Sequence, residues 1–260
     1  MNFNDDIDYI DTHCHLDLYK DYKTLILDSN KNKTFIVAVT NIPSVFDHEC
    51  MLFQKNSKIA VALGFHPQLV ESHGDQIELF VSLLSKSQFI GEVGLDYQEN
   101  KQWMKAKQKK VFERVLNEAA KYQDKIISVH SRNSTDDVVS IIGKDYPGNI
   151  ILHWYSGSIK TLEKAINNGY YFSVNPSMTK SLKGRVIIKS IPLERLLTET
   201  DGPFLEVDRK IVNPPDVEIV INYLSSVHKK PLEEIKGIVK TNFLKITESR
   251  VLAKKNDKYN

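Results

Sequence analysis

Cysteine is scarce in this chain: two residues in 260, Cys14 and Cys50, with no C-x-x-C pair. That argues against a disulfide framework and suits a reducing cytosol, so a cytoplasmic location is expected. An excess of charge of one sign is also missing. Lys and Arg number 35 against 33 Asp and Glu, a formal net charge of +2. The molecule as a whole therefore carries no nucleic-acid footprint, and any basic groove must be local. Long hydrophobic runs are absent. The longest clear one, Ile59–Phe65, falls far short of the roughly 20 residues that span a bilayer. No membrane association is expected. Asp5, Asp6 and Asp8 stand where a signal peptide would carry basic residues, so no such leader is expected. Glycine-rich phosphate loops and sequence repeats do not occur either.

What the chain does have is apolar content, 41% of its residues, arranged as an alternation of two patterns. Short β-branched runs predict strands near 7–15, 34–40, 59–66, 89–93, 126–131, 150–153, 170–174 and 196–200. Several, such as Ile59-Ala60-Val61-Ala62-Leu63, lack polar alternation, as strands buried on both faces do. Helical spacing predicts helices over 74–86, 101–122, 135–144, 158–168, 179–190, 216–228 and 232–249. In the clearest of these, Val111, Val115, Leu116 and Ala119 share one face. Eight β-α alternations without a composition break predict one (β/α)₈ TIM barrel of about 250 residues. It would form a single domain over 1–260, with a polar tail, 254–260, that frays. An open doubly wound sheet is the alternative architecture.

In such a barrel the active site lies at the C-terminal ends of the strands. Those ends carry His13 and His15, then His66, Glu92, His130, His153 and Asp201, so five of the eight histidines fall there. Any one alone reads as a hydrogen-bonded loop residue. His13 and His15 share one face of a strand, and imidazoles and carboxylates converging on one rim suit a divalent metal centre.

D-T-H-C-H-L-D at 11–17, G-F-H-P at 64–67, G-E-V-G-L-D-Y at 91–97, H-S-R at 130–132, H-W-Y-S-G-S at 153–158 and T-E-T-D-G-P-F at 198–204 occur in this order. In order and spacing they resemble the motifs of the TatD-type metal-dependent deoxyribonucleases, which belong to the amidohydrolase-like, metallo-dependent hydrolase barrels. Asn213-Pro214-Pro215 and Asn242-Phe243 extend the resemblance to about residue 245. It implies two divalent ions, of Zn, Mn, Mg or Ni. His13 and His15 would hold one with Asp201 near it, His130 and His153 the second, and Glu92 would bridge them. The chemistry agrees, because a shared carboxylate suits two ions about 3.5–4 Å apart that clamp an in-line displacement. Asp201 also suits a general base toward water.

Other residues at the rim are candidates for substrate. Arg132 can offer a planar fork to phosphate, or pair with a barrel loop. His66 can orient or protonate a phosphate oxygen. Ser156 and Gly157 precede a helix and can present N–H groups to an anion, or Ser156-Gly157-Ser158 can simply cap that helix. Tyr97, Trp103, Trp154 and Tyr155 can stack bases or pack. Lys101, Lys105, Lys107, Lys109 and Lys110 can attract a nucleic-acid backbone or form a solvated face. Asp96 is expected to hydrogen-bond a ligand imidazole, and Glu199 to support the site from beneath. Trp154 and Gln68 depart from the common family pattern, and with short loops after strands 1 and 3 the combination resembles the branch carried in Qat-type anti-phage operons. The resemblance thus implies a nuclease acting on single-stranded DNA from a 3′ end, with possible protein partners in a defence operon. An aminoacyl-RNA deacylase or other ester or amide hydrolase is one alternative. A docking subunit of a defence assembly is another.

Overall fold

A computed structural model describes residues 6–99 and 101–256. The eight apolar runs become eight parallel strands: β1 Tyr9–Cys14, β2 Thr34–Val39, β3 Ile59–Ala62, β4 Phe89–Gly94, β5 Ile126–His130, β6 Asn149–His153, β7 Tyr171–Val174 and β8 Leu196–Thr198. They pair in chain order, β1-β2-β3 and β4-β5-β6-β7-β8. The architecture is the (β/α)₈ barrel, with two seams where the ladder thins. Between β3 and β4 a single bridge joins Leu63 to Ile90. Between β8 and β1, threonines replace the ladder. Thr12 Oγ1 donates to the Thr198 carbonyl at 3.0 Å, the Thr198 hydroxyl donates to the Ile10 carbonyl, and Asp201 N–H donates to the His13 carbonyl at 2.9 Å. Buried backbone carbonyls at this seam are thus satisfied without a full strand pairing.

Helices cover the outside: α1 Tyr22–Lys31, α2 Phe46–Phe53, α3 Val70–His73, α4 Ile77–Leu83, α5 Gln102–Ala119, α6 Thr135–Ile142, α7 Ile159–Asn167, α8 Pro176–Lys180, α9 Leu182–Ser190, α10 Val217–His228 and α11 Leu232–Asn256. A short hairpin, β9 Glu206–Val207 with β10 Lys210–Ile211, follows β8. No helix is expected from the sequence at α1 or α2, although each packs a face at helical spacing: Tyr22, Leu25, Ile26 and Ser29 in α1, and Phe46, Glu49, Cys50 and Phe53 in α2. A polar residue within each face, Ser29 and Glu49, interrupts the apolar pattern. The expected helix over 179–190 is two helices, broken where Ser181 ends α8 and caps α9 through Gly184 N–H. α11 continues past the expected end at 249 to Asn256, and residues 257–260 of the expected frayed tail lie outside the described residues.

The core has two parts. One lies between strands and helices, built from residues such as Leu63, Phe65, Phe80, Phe112, Leu152 and Phe172. The other fills the floor of the barrel, where Phe35, Phe89, Ile126, Ile151 and Leu197 meet Phe243 of α11. Phe243 is fully buried, and truncating such a ring to Ala costs about 3–5 kcal/mol. Beside it, Asn242 Nδ2 donates to the Leu193 and Leu196 carbonyls, both at 2.8 Å, tying α11 under β8. The floor is therefore packed, and the opposite rim is left for chemistry. There, strands β4 and β5 approach closely at Gly94. Its φ is +142°, and a Cβ would sit 2.1 Å from the His130 carbonyl oxygen, so only glycine fits.

Candidate metal centre and active site

β1 delivers the first two imidazoles on one face, with Cys14 fully buried on the other in a cluster with Leu16, Ile36 and Ala38. Asp201 follows β8 in the left-handed region, φ 54°, a conformation that costs a non-glycine residue about 1–3 kcal/mol. The turn brings its Oδ1 to 3.6 Å from Nε2 of both His13 and His15. Glu92, near the end of β4, sits at the centre with its two oxygens divided. Oε2 lies 3.5 Å from His13 Nε2, 3.2 Å from His15 Nε2 and 3.5 Å from His66 Nε2. Oε1 lies 2.5 Å from His130 Nδ1 and 2.8 Å from His153 Nε2.

His13, His15 and His130 are hydrogen-bonded from behind, and His153 faces a carboxylate there. His13 Nδ1 meets Ser128 Oγ at 2.7 Å, and His15 Nδ1 meets the Asn41 side-chain amide at 3.3 Å. His130 Nε2 donates to Asp96 Oδ2 at 2.9 Å, and His153 Nδ1 faces Glu199 Oε2 at 3.8 Å. Glu199 is fully buried and accepts from Trp154 N–H at 3.0 Å, Asn175 Nδ2 at 3.1 Å and the Ser173 hydroxyl. A proton on the rear nitrogen leaves the front nitrogen's lone pair aimed at Glu92, the tautomer a cation requires. His66 is oriented the other way. Its Nδ1 accepts from Gln68 N–H at 3.2 Å, so in the neutral ring Nε2 carries the proton.

The electrostatics match a site built for positive charge. Burial alone would push the Glu92 carboxyl up, yet His66, His153, His130 and His13 hold it well below the usual range. Asp201 is also lowered, against burial, chiefly by His15. Burial would lower the imidazoles, and His13 is lowered. His15 instead is held up at about 9 by Asp201 and Glu92, and His130 and His153 are raised by Glu92 and their carboxylate anchors. Without cations, protons on these rings compensate the buried carboxylates, since buried charge must be paired or coordinate a metal.

The donor set fits divalent ions. Two groups, His13–Glu92–His153 and His13–His15–Asp201, each place three ligand atoms within 4.8 Å of one another; a third, His66–Glu92–His130, is as close, but there His66 presents its Nε2 proton. Nε2 of His13 and of His15 is buried without a hydrogen-bond partner, an open valence that a cation would fill.

Above this centre opens a cavity of about 670 Å³, within the usual range for ligand sites. His15, His66, Glu92, Arg132, His130, His153, Trp154, Ser156 and Asp201 line it, while His13 lies beneath, fully buried. Asn41, Gln68 and Phe204 also line it. Arg132 Nη1 donates to Gln98 Oε1 at 2.8 Å, and Gln68 Nε2 donates to Asp96 Oδ2 at 3.0 Å. Four sequence candidates do not line the cavity. Tyr97 turns outward, its hydroxyl donating to Asp137 of α6 at 2.8 Å. Gly157 packs on Tyr155, where a Cβ would lie 2.6 Å from the hydroxyl. Tyr155 is core, and Trp103 is exposed on α5 away from the cavity lining. The cap of α7 is Ser158, accepting from Thr161 N–H at 3.1 Å. Of the lysines on and just before α5, Lys109 pairs with Asp137 at 2.8 Å and Lys101 with Glu99 at 2.8 Å.

Comparison with known proteins gives a consistent set. The family model described as TatD related DNase matches residues 10–248. An uncharacterised metal-dependent hydrolase of Methanocaldococcus jannaschii is 25% identical over 95% of this chain and 99% of its own length. The human deoxyribonuclease TATDN3 is 26% identical over 91% of this chain and 93% of its own. Among solved structures, the TatD homologue YjjV from Escherichia coli superposes with a TM-score of 0.85 at 25% identity, covering 93% of this chain and 98% of that one.

Proposed function

The chain belongs to the TatD-related DNase family, a family of metal-dependent hydrolases, and we propose that it hydrolyses phosphodiester bonds of single-stranded DNA from a 3′ end. The observation that carries this reading is the division of Glu92, one oxygen toward His13 and His15 and the other toward His130 and His153. That geometry supports two cation positions. His13, His15 and Asp201 would hold one, His130 and His153 the other, with Glu92 between them. The donor set of imidazole and carboxylate is compatible with Zn, Mn, Mg or Ni. When bound, the cations supply charge that polarises a phosphoryl group and acidifies water.

The chain's own residues do the rest. Asp201, kept ionised at neutral pH, accepts a proton from the attacking water through a carboxylate oxygen at the cavity floor. Arg132 presents its guanidinium to a phosphate oxygen and is steadied by Gln98. His66 offers its Nε2 proton to a phosphoryl oxygen, because Gln68 N–H occupies Nδ1. Ser156 and Trp154 complete the wall above β6.

The near-neutral net charge of +2 also favours an end or a single strand over a wrapped duplex, which needs many phosphate contacts. Gln68 and Trp154, which support a place in the anti-phage branch, both line the cavity. Two cysteines without a disulfide support a cytoplasmic location, and no helix among the described residues is long and apolar enough to cross a membrane. The test compares 3′-labelled and 5′-labelled single strands, a blunt duplex and a closed circle, with and without EDTA, beside a D-aminoacyl-RNA ester. Stepwise shortening of the single strand from its 3′ end is expected. Rapid cutting of the closed circle would refute the exonuclease reading, and hydrolysis of the ester alone would replace the substrate class.

A further inference from the structure

Phe204 is a large apolar side chain left in water beside the chemistry. It is 62% exposed, lines the cavity and meets the His15 ring edge to face, with centroids 4.8 Å apart. Its position is imposed by the backbone. Phe204 N–H donates to the Asp201 carbonyl at 3.0 Å, which closes a tight turn on the residue that carries the catalytic carboxylate. Between them, a Cβ on Gly202 would lie 1.8 Å from the Tyr19 hydroxyl oxygen, so only glycine fits in the turn. The turn and the His15 contact place the ring beside Asp201.

The cavity wall three strands away is of the opposite character. There Arg132, Gln98 and Gln68 form a hydrogen-bonded polar row. A ligand spanning this cavity meets the Arg132 guanidinium and the Gln68 carboxamide at one end, the Glu92 centre in the middle, and the Phe204 ring at the other. A phosphodiester carrying a flat π-system satisfies all three. A free phosphate would leave the ring in water, and a purely apolar acyl group would desolvate Arg132 without pairing it.

We propose that Phe204 is the stacking platform for the unpaired nucleobase next to the scissile phosphate, and so a determinant of strand preference. This deepens the nuclease reading and rests on it. A base within a duplex is already covered on both faces, whereas a terminal or single-stranded base has a face to offer. The ring touches no phosphate, so its contribution belongs to binding, and its effect on the bond-breaking step is small.

The test is a cycle with one arm in the protein and one in the substrate. Wild type, Phe204→Ala and Phe204→Trp are assayed on a labelled single strand and on the same strand with tetrahydrofuran abasic residues at the cleaved end. Metal content is measured for each variant. Phe204→Ala is expected to raise KM for the normal strand about tenfold, with kcat little changed. It should leave KM for the abasic strand where wild type already has it. Phe204→Trp should restore KM, and its added emission should be quenched by strand binding to chelated protein, where no turnover occurs. Equal losses on both strands, a fall in metal content with Phe204→Ala, or an unmoved KM would overturn the proposal while leaving the nuclease reading intact. Failure of wild type to cut either strand, with no quenching of Phe204→Trp, would sink both.

Discussion

Asp96→Ala should weaken one metal position and spare the other. Asp96 is 4% exposed, and its Oδ2 accepts both His130 Nε2 at 2.9 Å and Gln68 Nε2 at 3.0 Å, while Oδ1 accepts Gln98 N–H at 2.8 Å. The first of these bonds keeps the His130 proton on Nε2 and turns Nδ1 toward Glu92 and His153. Without it the ring can rotate, and the proton can move to the nitrogen that must face the cation. A hydrogen bond to a charged group contributes about 1.5–3 kcal/mol. At about 1.4 kcal/mol per tenfold, the cation between His130 and His153 should bind roughly 10- to 150-fold more weakly. Second-sphere changes of this kind cost about 10–100-fold in other metal sites. Asp96→Asn should fall between, because its single carbonyl oxygen cannot serve both His130 and Gln98 N–H. Competition against a calibrated chelator reads each affinity separately, and a thermal melt of the metal-free variants controls for folding. Two equivalents bound at wild-type affinity would refute the reasoning, as would equal weakening of both.

Glu92→Ala should abolish hydrolysis and lower metal content, since both oxygens of this carboxylate are used; wild-type turnover with two ions bound would count against the bridge. Asp201→Asn should retain at least one ion yet lose about 10²–10⁴-fold in kcat, because an amide cannot take the water's proton; a rapid-quench measurement giving wild-type kcat would remove Asp201 from the base role. His15 is held up at about 9, so at neutral pH a cation must displace its proton. Affinity should therefore climb as pH rises toward about 9, and calorimetry in two buffers of different ionisation enthalpy should record proton release; affinity independent of pH would contradict this. The same raised value stabilises the metal-free fold most below the unfolded value of 6.5. That contribution is lost as pH rises through about 9, which a melting series without metal should register.

The residues at the strand ends were legible because two simple rules act together. Alternation put His13 and His15 on one face, and the barrel puts strand ends on one rim. Support from behind was less legible. Ser128 lies two residues before His130 on the same face of β5 and could have been found by alternation, whereas Asn41 follows β2 in a segment whose path only the fold defines. Phe204 stood inside a quoted motif, but its exposure depends on the turn after Asp201. Tyr97 shows the converse error: nearness to a ligand in sequence says nothing of direction, and its hydroxyl is drawn to Asp137 instead. The seam between β8 and β1 left no pattern either, because threonine hydroxyls rather than a ladder of strand residues join it.

The central claim is that hydrolysis of a phosphodiester runs on two cations held around Glu92. It is tested most directly by stripping the protein with chelator, adding metal back in measured equivalents, and following bound metal and cleavage of a 3′-labelled single strand in the same samples. The account predicts no cleavage in the stripped protein, saturation at two ions per chain, and turnover that appears with the second. Full turnover without metal, or a protein carrying two ions that leaves every strand intact, would contradict it.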